Sequence, residues 1–286
     1  MDEQETQKEP LSAEETRTII RQLYLQWHHD ISHYHLGFIQ NILQRFLQDS
    51  YPELSALEAS QVFINDKRTV RNFIKRLYIP VSEFFRDPEV FLYMRDYLMS
   101  YLESYPLIRI WSAGSAFGEE VYSLAIMLEE WGIYDRCMIY ATDACTDSLQ
   151  QAKLGQYLYN KTFIKGVENY YLSGGKHRFS RYFRIDERKQ IVYLDDAIKR
   201  NICFSSHNLV QDEVFNHFSL ILCRNVFIYF NDGQQQRALD LFHRSLDPFG
   251  YLILGKSESI QPASGSLRLF EAVDSNLRVF RWRRND

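Results

Sequence analysis

The chain has no excess of positive charge. Its 33 Lys and Arg face 37 Asp and Glu, a formal net charge of −4 with an isoelectric point near 6.1. That argues against a general nucleic-acid binder, whose footprint is basic. It has no long apolar run either. The most apolar stretch, Phe218 to Phe230, is interrupted by Arg224 and Asn225, so it is too short and too polar for membrane insertion. The acidic, polar residues Met1 to Glu15 hold no apolar segment of the kind a secretory signal needs. Only four cysteines occur, Cys137, Cys145, Cys203 and Cys223, far apart and with no Cys-x-x-Cys pair. They read as reduced thiols of a cytoplasmic protein. His28, His29, His33 and His35 include a pair four residues apart, but no cysteine or carboxylate cluster completes a ligand set, so no metal is expected.

What is present is ordinary globular composition, 45% hydrophobic and 24% charged over 286 residues, enough for two modest domains. Residues 1–11 read as a flexible leader. Ser12 and Glu15 form a capping-box pattern, and Ile19, Ile20, Leu23 and Trp27 follow at helical spacing. Two more helical patterns run through Leu36, Ile39, Ile42, Leu43 and Phe46 and through Val70, Phe73, Ile74 and Leu77. No β-alternation precedes about residue 105, so residues 12–87 are expected to be an all-helical N-terminal domain. Strand and helix signals then alternate: Leu107–Trp111, Glu119–Trp131, Met138–Thr142, Thr146–Leu154, Phe218–Cys223, Asp232–Leu246, Gly250–Gly255 and Leu277–Trp282. This predicts an α/β layer structure with a mostly parallel sheet over residues 88–286. The stretch 155–206 breaks the alternation. Its runs at Arg181–Ile185, Gln190–Leu194 and Ile202–Ser206 predict a small antiparallel insertion.

A strand, the small-residue loop Ser112 to Gly118 and a helix start form a cofactor cradle. Gly114 and Gly118 allow close backbone approach. Asp143 ends the next strand, 25 residues beyond Gly118, where an acid can accept both hydroxyls of a ribose. The full Gly-x-Gly-x-x-Gly pattern is missing, and Glu119 and Glu120 stand where a phosphate would meet bare amides. Two carboxylates there suit a cationic ligand; they also suit a helix that simply complements its own dipole.

Further motifs follow in order: Glu83-Phe-Phe-Arg-Asp-Pro88, Trp111-Ser-Ala-Gly114, Gly118-Glu-Glu-Val-Tyr-Ser123, Ala141-Thr-Asp143, His207-Asn-Leu209, Cys223-Arg-Asn-Val-Phe-Ile-Tyr-Phe230 and Gly255-Lys-Ser-Glu258. Together they resemble the CheR family of protein-glutamate methyltransferases, over about residues 66–283. The resemblance implies a helical domain joined to a Rossmann-like methyltransferase domain. It implies S-adenosyl-L-methionine as cofactor, with S-adenosyl-L-homocysteine as product. The implied partner is the cytoplasmic domain of a methyl-accepting receptor or related signalling protein, met by a monomer. Arg86 is implied to reach the cofactor's carboxylate from the helical domain, Glu119 its methionine end, Asp143 the ribose, and Asn208 and Leu209 the adenine region. Arg224 and Asn225 are implied under the reacting end, with Ser82 and Gly114 in the same cradle and Tyr229 on the substrate side. From the residues alone, Arg86 could instead pair with Asp87 or a helix end, Asn225 could be a strand-end turn, and Tyr229 could be core.

Three features depart from the family pattern. Phe117 replaces a small hydroxyl residue beside the cofactor. Pro80 replaces an amide side chain, although Ser82 keeps the hydroxyl. Gln40, Asn41 and Ile42 stand where the second helix usually carries a Lys-Arg-Arg run, which bears on the partner more than on the chemistry. The alternative to an active enzyme is a low-activity member acting as a cofactor-binding or regulatory module.

Overall fold

The computed structural model describes residues 10–27, 31, 36–77, 82–260 and 269–283. The four histidines above, Pro80 and most of the 1–11 leader lie outside them. Contacts divide the chain into two units, residues 1–79 with 228–231, and residues 80–227 with 232–286. The segment 80–87, expected with the helical domain, therefore groups with the second unit. Phe84 and Phe85 are the reason: both are buried in its core.

Among its described residues the first unit holds four helices: α1 (Ala13–Trp27), α2 (Leu36–Ser50), α3 (Ala56–Asn65) and α4 (Lys67–Leu77). Ser12 opens α1 with the predicted capping box. Its N–H and Oγ donate to Glu15 Oε2 at 2.7 Å, and the Glu15 N–H donates back at 3.2 Å. α3 carries a second box, Ser55 with Glu58, which the apolar pattern did not reveal because Ala56 and Ala59 supply two of its buried positions. Ile19, Leu23, Ile39, Leu43, Phe63, Val70 and Phe73 close a common core. On α2, Gln40 Nε2 donates to the Leu11 carbonyl at 2.5 Å, and the Leu11 N–H donates to Gln44 Oε1 at 2.9 Å. The side chain standing in place of a basic one thus clasps the chain's own N-terminal segment.

The second unit begins with α5 (Pro88–Tyr93), which passes through a π-helical turn into α6 (Met99–Glu103). There follow β1 (Ile108–Ala113), α7 (Glu119–Glu130), β2 (Cys137–Asp143), α8 (Thr146–Leu154), β3 (Gln156–Leu158), α9 (Lys161–Leu172), β4 (Phe183–Asp186), β5 (Ile191–Leu194), α10 (Asp196–Lys199), β6 (Ile202–Ser206), β7 (Phe218–Cys223), α11 (Asp232–Ser245), β8 (Leu246–Leu254), β9 (Phe270–Asp274) and β10 (Val279–Trp282). Among the described residues, seven strands form one sheet in the order β6-β2-β1-β7-β8-β10-β9. β6, β2, β1, β7 and β8 run parallel, and β10 lies antiparallel between β8 and β9. β7 is buried along its whole length, which is why it reads as an apolar run broken only by Ser219.

The insertion is antiparallel as expected, with the runs at 181–185 and 190–194 pairing as β4 and β5, but its third strand differs. Its sheet is β3-β5-β4, and α9 belongs with it. Ile202–Ser206 pairs parallel with β2 as an edge strand of the main sheet. A short run with mixed exposure cannot announce which sheet it joins. Phe84 stands at the centre of the insertion's packing, edge-on to Tyr157, Phe163, Phe179 and Phe183 with centroids 4.9–5.9 Å away.

Candidate functional site

In a parallel sheet whose order reverses between two neighbours, the connections leave in opposite directions and open a crevice at the carboxyl ends. Here the reversal falls between β1 and β7, since β2 and β6 lie on one side of β1 and β8 on the other side of β7. Asp143 is the last residue of β2, and Gly114, Gly118, Glu119, Asn208, Leu209, Arg224 and Asn225 follow the carboxyl ends of β1, β6 and β7.

The loop after β1 is held in an unusual backbone path. Gly114, Ala116 and Gly118 have φ of 76°, 50° and 92°. A Cβ on Gly114 would collide with Val226 Cγ2, so the loops after β1 and β7 touch there. Gly114 N–H and Ser115 N–H both donate to the Thr142 carbonyl at 2.8 Å. The Asp143 carboxylate accepts from Ala116 N–H and from Cys145 N–H, each at 2.8 Å. Burial pushes the Asp143 carboxyl above its ordinary value, while the backbone donors of Cys145, Ala116 and Ala144 oppose that shift. Each carboxylate oxygen can accept more than one hydrogen bond, so these braces leave capacity for a ligand's hydroxyls. From the insertion, Tyr157 donates its hydroxyl to the Phe117 carbonyl at 2.8 Å; Phe117 itself is half-buried.

Glu119 opens α7 and is only 8% exposed. Ser82 donates to its carboxylate, yet burial dominates and pushes the pKa up. Its Oε2 is buried with no partner, and so is Ser115 Oγ. A buried carboxylate with an unanswered oxygen is costly unless something positive or hydrogen-bonding meets it.

Arg224 is tied from behind. With its side chain 1% exposed, it pairs with Asp87 at 2.6 Å and Glu120 at 3.0 Å, and it donates to the Arg86 carbonyl at 2.8 Å. The cluster fixes the 85–87 turn, where Phe85 and Asp87 take φ of 51° and 54°. The Phe85 N–H donates to Ser123 Oγ at 2.8 Å. Asn225 has φ 61°, and its N–H donates to Glu258 Oε2 at 3.0 Å. Glu258 also accepts from Phe227 N–H at 2.7 Å and Gly255 N–H at 2.5 Å. A Cβ on Gly255 would sit 2.6 Å from that oxygen. Glu258 and Tyr157 were not singled out in the sequence. Only the Gly255-Lys-Ser-Glu258 motif hinted at the first, and no local signal marked the second.

His207 N–H donates to the Asp143 carbonyl at 3.2 Å, joining the ends of β2 and β6. Asn208 caps its own turn through Val210 N–H at 2.9 Å, and Leu209 is buried. Tyr229 groups with the first unit, where it packs edge-on against Phe38 of α2 at 4.7 Å. Among the described residues no cluster could hold a metal ion, and no helix is long and apolar enough to cross a membrane.

The donor set fits a ligand with a positive end and a diol. Glu119 offers a dry unpaired oxygen for the cation, and Asp143 offers acceptors for hydroxyls. A Rossmann-like sheet with this site defines a methyltransferase that uses S-adenosylmethionine. Residues 80–275 match the family described as CheR methyltransferase, SAM binding domain. Over 268 residues the chain is 39% identical to a Pseudomonas putida protein named "Putative methyltransferase Cher3", covering 93% of this chain and 96% of that one. It is 32% identical over 200 residues to chemotaxis protein methyltransferase 1 of Vibrio cholerae, covering 67% and 68%. It is 31% identical over 191 residues to a chemotaxis protein methyltransferase of Borreliella burgdorferi, covering 62% and 64%. The chain belongs to the CheR methyltransferase family.

Proposed function

We propose that the chain methylates glutamate side chains on the cytoplasmic domain of a methyl-accepting receptor or related signalling protein, acting as a monomer in the cytoplasm. The observation that carries the reading is the unpartnered, buried Glu119 oxygen in the switch-point cradle. The chemotaxis methyltransferases among its relatives support the class of substrate.

S-adenosylmethionine supplies a methyl group activated on a sulfonium. The accepting carboxylate is already anionic at neutral pH, so the chain needs no strong general base. Opposite charges on acceptor and donor shrink as the new bond forms, so a dry, enclosed site favours transfer. The chain's residues therefore bind, align and exclude water; alignment alone can supply about 7–11 kcal/mol in favourable cases. Glu119 holds the ammonium, Arg86 the carboxylate, Asp143 the ribose, and Asn208 with Leu209 the adenine region. Arg224, already engaged by two acids and a carbonyl, acts by positioning Arg86 and Asn225.

The test is transfer of labelled methyl from S-adenosylmethionine to receptor cytoplasmic fragments from the same cell. Carboxyl methyl esters release methanol in mild base. Base-labile label on the fragment is the expected result. Base-stable label, or none despite bound cofactor, would overturn the glutamate reading.

A further inference from the structure

The turn that carries the chain from β1 into α7 does not hold itself in place. Ala116 has φ of 50°, a left-handed conformation that strains a residue with a Cβ. Gly118 has φ of 92° and, lacking a Cβ, is free to leave it. The turn's own bond runs from the Gly118 N–H to the Ser115 carbonyl at 2.9 Å. Strained backbone persists where its surroundings over-determine it, and this turn is braced from two sides. From the main sheet, the Thr142 carbonyl accepts from Gly114 and Ser115, and Asp143 accepts from Ala116. From the insertion, Tyr157 of β3 donates to the Phe117 carbonyl at 2.8 Å. That second brace fixes the plane of the Phe117–Gly118 peptide, from which Glu119 and α7 follow. Tyr157 is itself held. Its backbone pairs with Val192 of β5, and its ring meets Phe84 edge-on at 4.9 Å and Tyr122 of α7 at 6.3 Å. Burial, with the Glu119 and Tyr122 side chains nearby, pushes its hydroxyl well above the ordinary tyrosine pKa, so the proton it donates stays in place.

We propose that Tyr157 is a positioning residue for the cationic end of the cofactor: its hydroxyl holds the Phe117 carbonyl, so that Glu119 enters α7 with its unpaired Oε2 facing the ammonium. Without the hydroxyl, the Phe117 carbonyl loses this donor and the Phe117–Gly118 peptide is freed to rotate. Glu119 must then be gathered at the moment of binding, and that ordering is charged against affinity. Asp143 braces the same turn but also serves the ribose, so the insertion supplies the brace that cofactor contact does not compete for. The insertion thereby acts on cofactor affinity through a single hydroxyl. The inference rests on the proposed placement of the ammonium at Glu119, and its test is read separately from methyl transfer.

The experiment compares the full chain as wild type, Y157F, E119Q and Y157F/E119Q. Phenylalanine keeps the ring that packs on Phe84 and Tyr122 and removes only the donor. In calorimetric titration with S-adenosylmethionine, Y157F should bind roughly three- to tenfold more weakly than the wild type, the range for one lost neutral hydrogen bond. In the E119Q background the same change should cost less than about twofold, because Tyr157 acts through that carboxylate. A general loosening of the fold would cost the same in both backgrounds. Hydrogen exchange without ligand should quicken in Y157F at the Ala116 and Gly118 amides. It should stay unchanged at the Leu194 and Asp195 amides, which bond to the Gly155 and Tyr182 carbonyls within the insertion. Affinity in Y157F equal to wild type, an equal loss in both backgrounds, or exchange that quickens at Leu194 and Asp195 as much as at Gly118 would overturn the proposal. Unchanged affinity in E119Q overturns it together with the placement of the ammonium, and shows this without Y157F. A wild type that binds S-adenosylmethionine yet leaves receptor fragments unlabelled sinks the glutamate reading alone and leaves the role of Tyr157 standing.

Discussion

Replacing Glu119 by glutamine separates its two effects, because they move in opposite directions. The carboxylate is 8% exposed and its Oε2 has no partner. Burial pushes its pKa above the ordinary 4.5, against a hydrogen bond from Ser82. A raised value means the folded, ligand-free chain holds this proton more tightly than the unfolded chain. The stability so gained is full below the ordinary value and is lost as pH rises through the raised one. The glutamine side chain carries no charge, so E119Q without cofactor should be at least as stable as the wild type at neutral pH by urea titration. Cofactor binding should respond the other way. A charge-assisted hydrogen bond to an ammonium is worth about 1.5–3 kcal/mol, so E119Q should weaken S-adenosylmethionine binding roughly ten- to 150-fold by calorimetry. Only the ionised form answers a cation, so wild-type affinity should climb as pH rises through the raised pKa, and E119Q should flatten that climb. An unchanged dissociation constant, or the same pH profile in both proteins, would show that Glu119 does not meet the cofactor.

Asp143→Ala should remove two charge-assisted bonds to the ribose, about 1.5–3 kcal/mol each, seen as weaker binding by calorimetry. Because Asp143 also holds Ala116 and Cys145, hydrogen exchange at those two amides should quicken even without ligand. Arg224→Met should destabilise the fold by about 3–5 kcal/mol, since it leaves Asp87 and Glu120 without their cation; urea unfolding reads it. Gly114→Ala meets both a φ of 76° and the Val226 side chain, for about 1–3 kcal/mol of strain. Adding Val226→Ala should recover the steric part alone, which a double-mutant cycle measures.

The elements legible in the sequence were those whose signal is local. The Ser12 capping box, the apolar β1 and β7 and the acid-rich start of α7 depend on neighbours within a few residues. The elements that were missed depend on partners far along the chain. Ile202–Ser206 reads as a strand, but only pairing with Ile139–Asp143 assigns it to the main sheet. β3 is three residues long, and β9 is an edge strand with alternating signals too weak to stand out. At the site, residue types announced a cation and a diol. They did not announce that Arg224 faces Asp87, 137 residues away, rather than open crevice. Nor could spacing show that Phe84 anchors the insertion, which is why residues 80–87 read as the tail of the helical domain.

The dependence of the β7 turn on Glu258 sets an order of assembly during synthesis. Asn225 and its acceptor are 33 residues apart. At roughly 5–20 residues per second, the ribosome makes Asn225 about 2–7 s before the carboxylate that will receive its N–H exists. A nascent chain stopped at residue 257 already holds β1, β2, β6, β7 and β8, with every residue named here for cofactor contact. Its Asn225, Phe227 and Gly255 amides would nonetheless point at an empty place. Cofactor added to stalled ribosomes should therefore protect the nascent chain from proteolysis only once residue 258 has emerged, so the binding site matures as a late event on the ribosome rather than strand by strand.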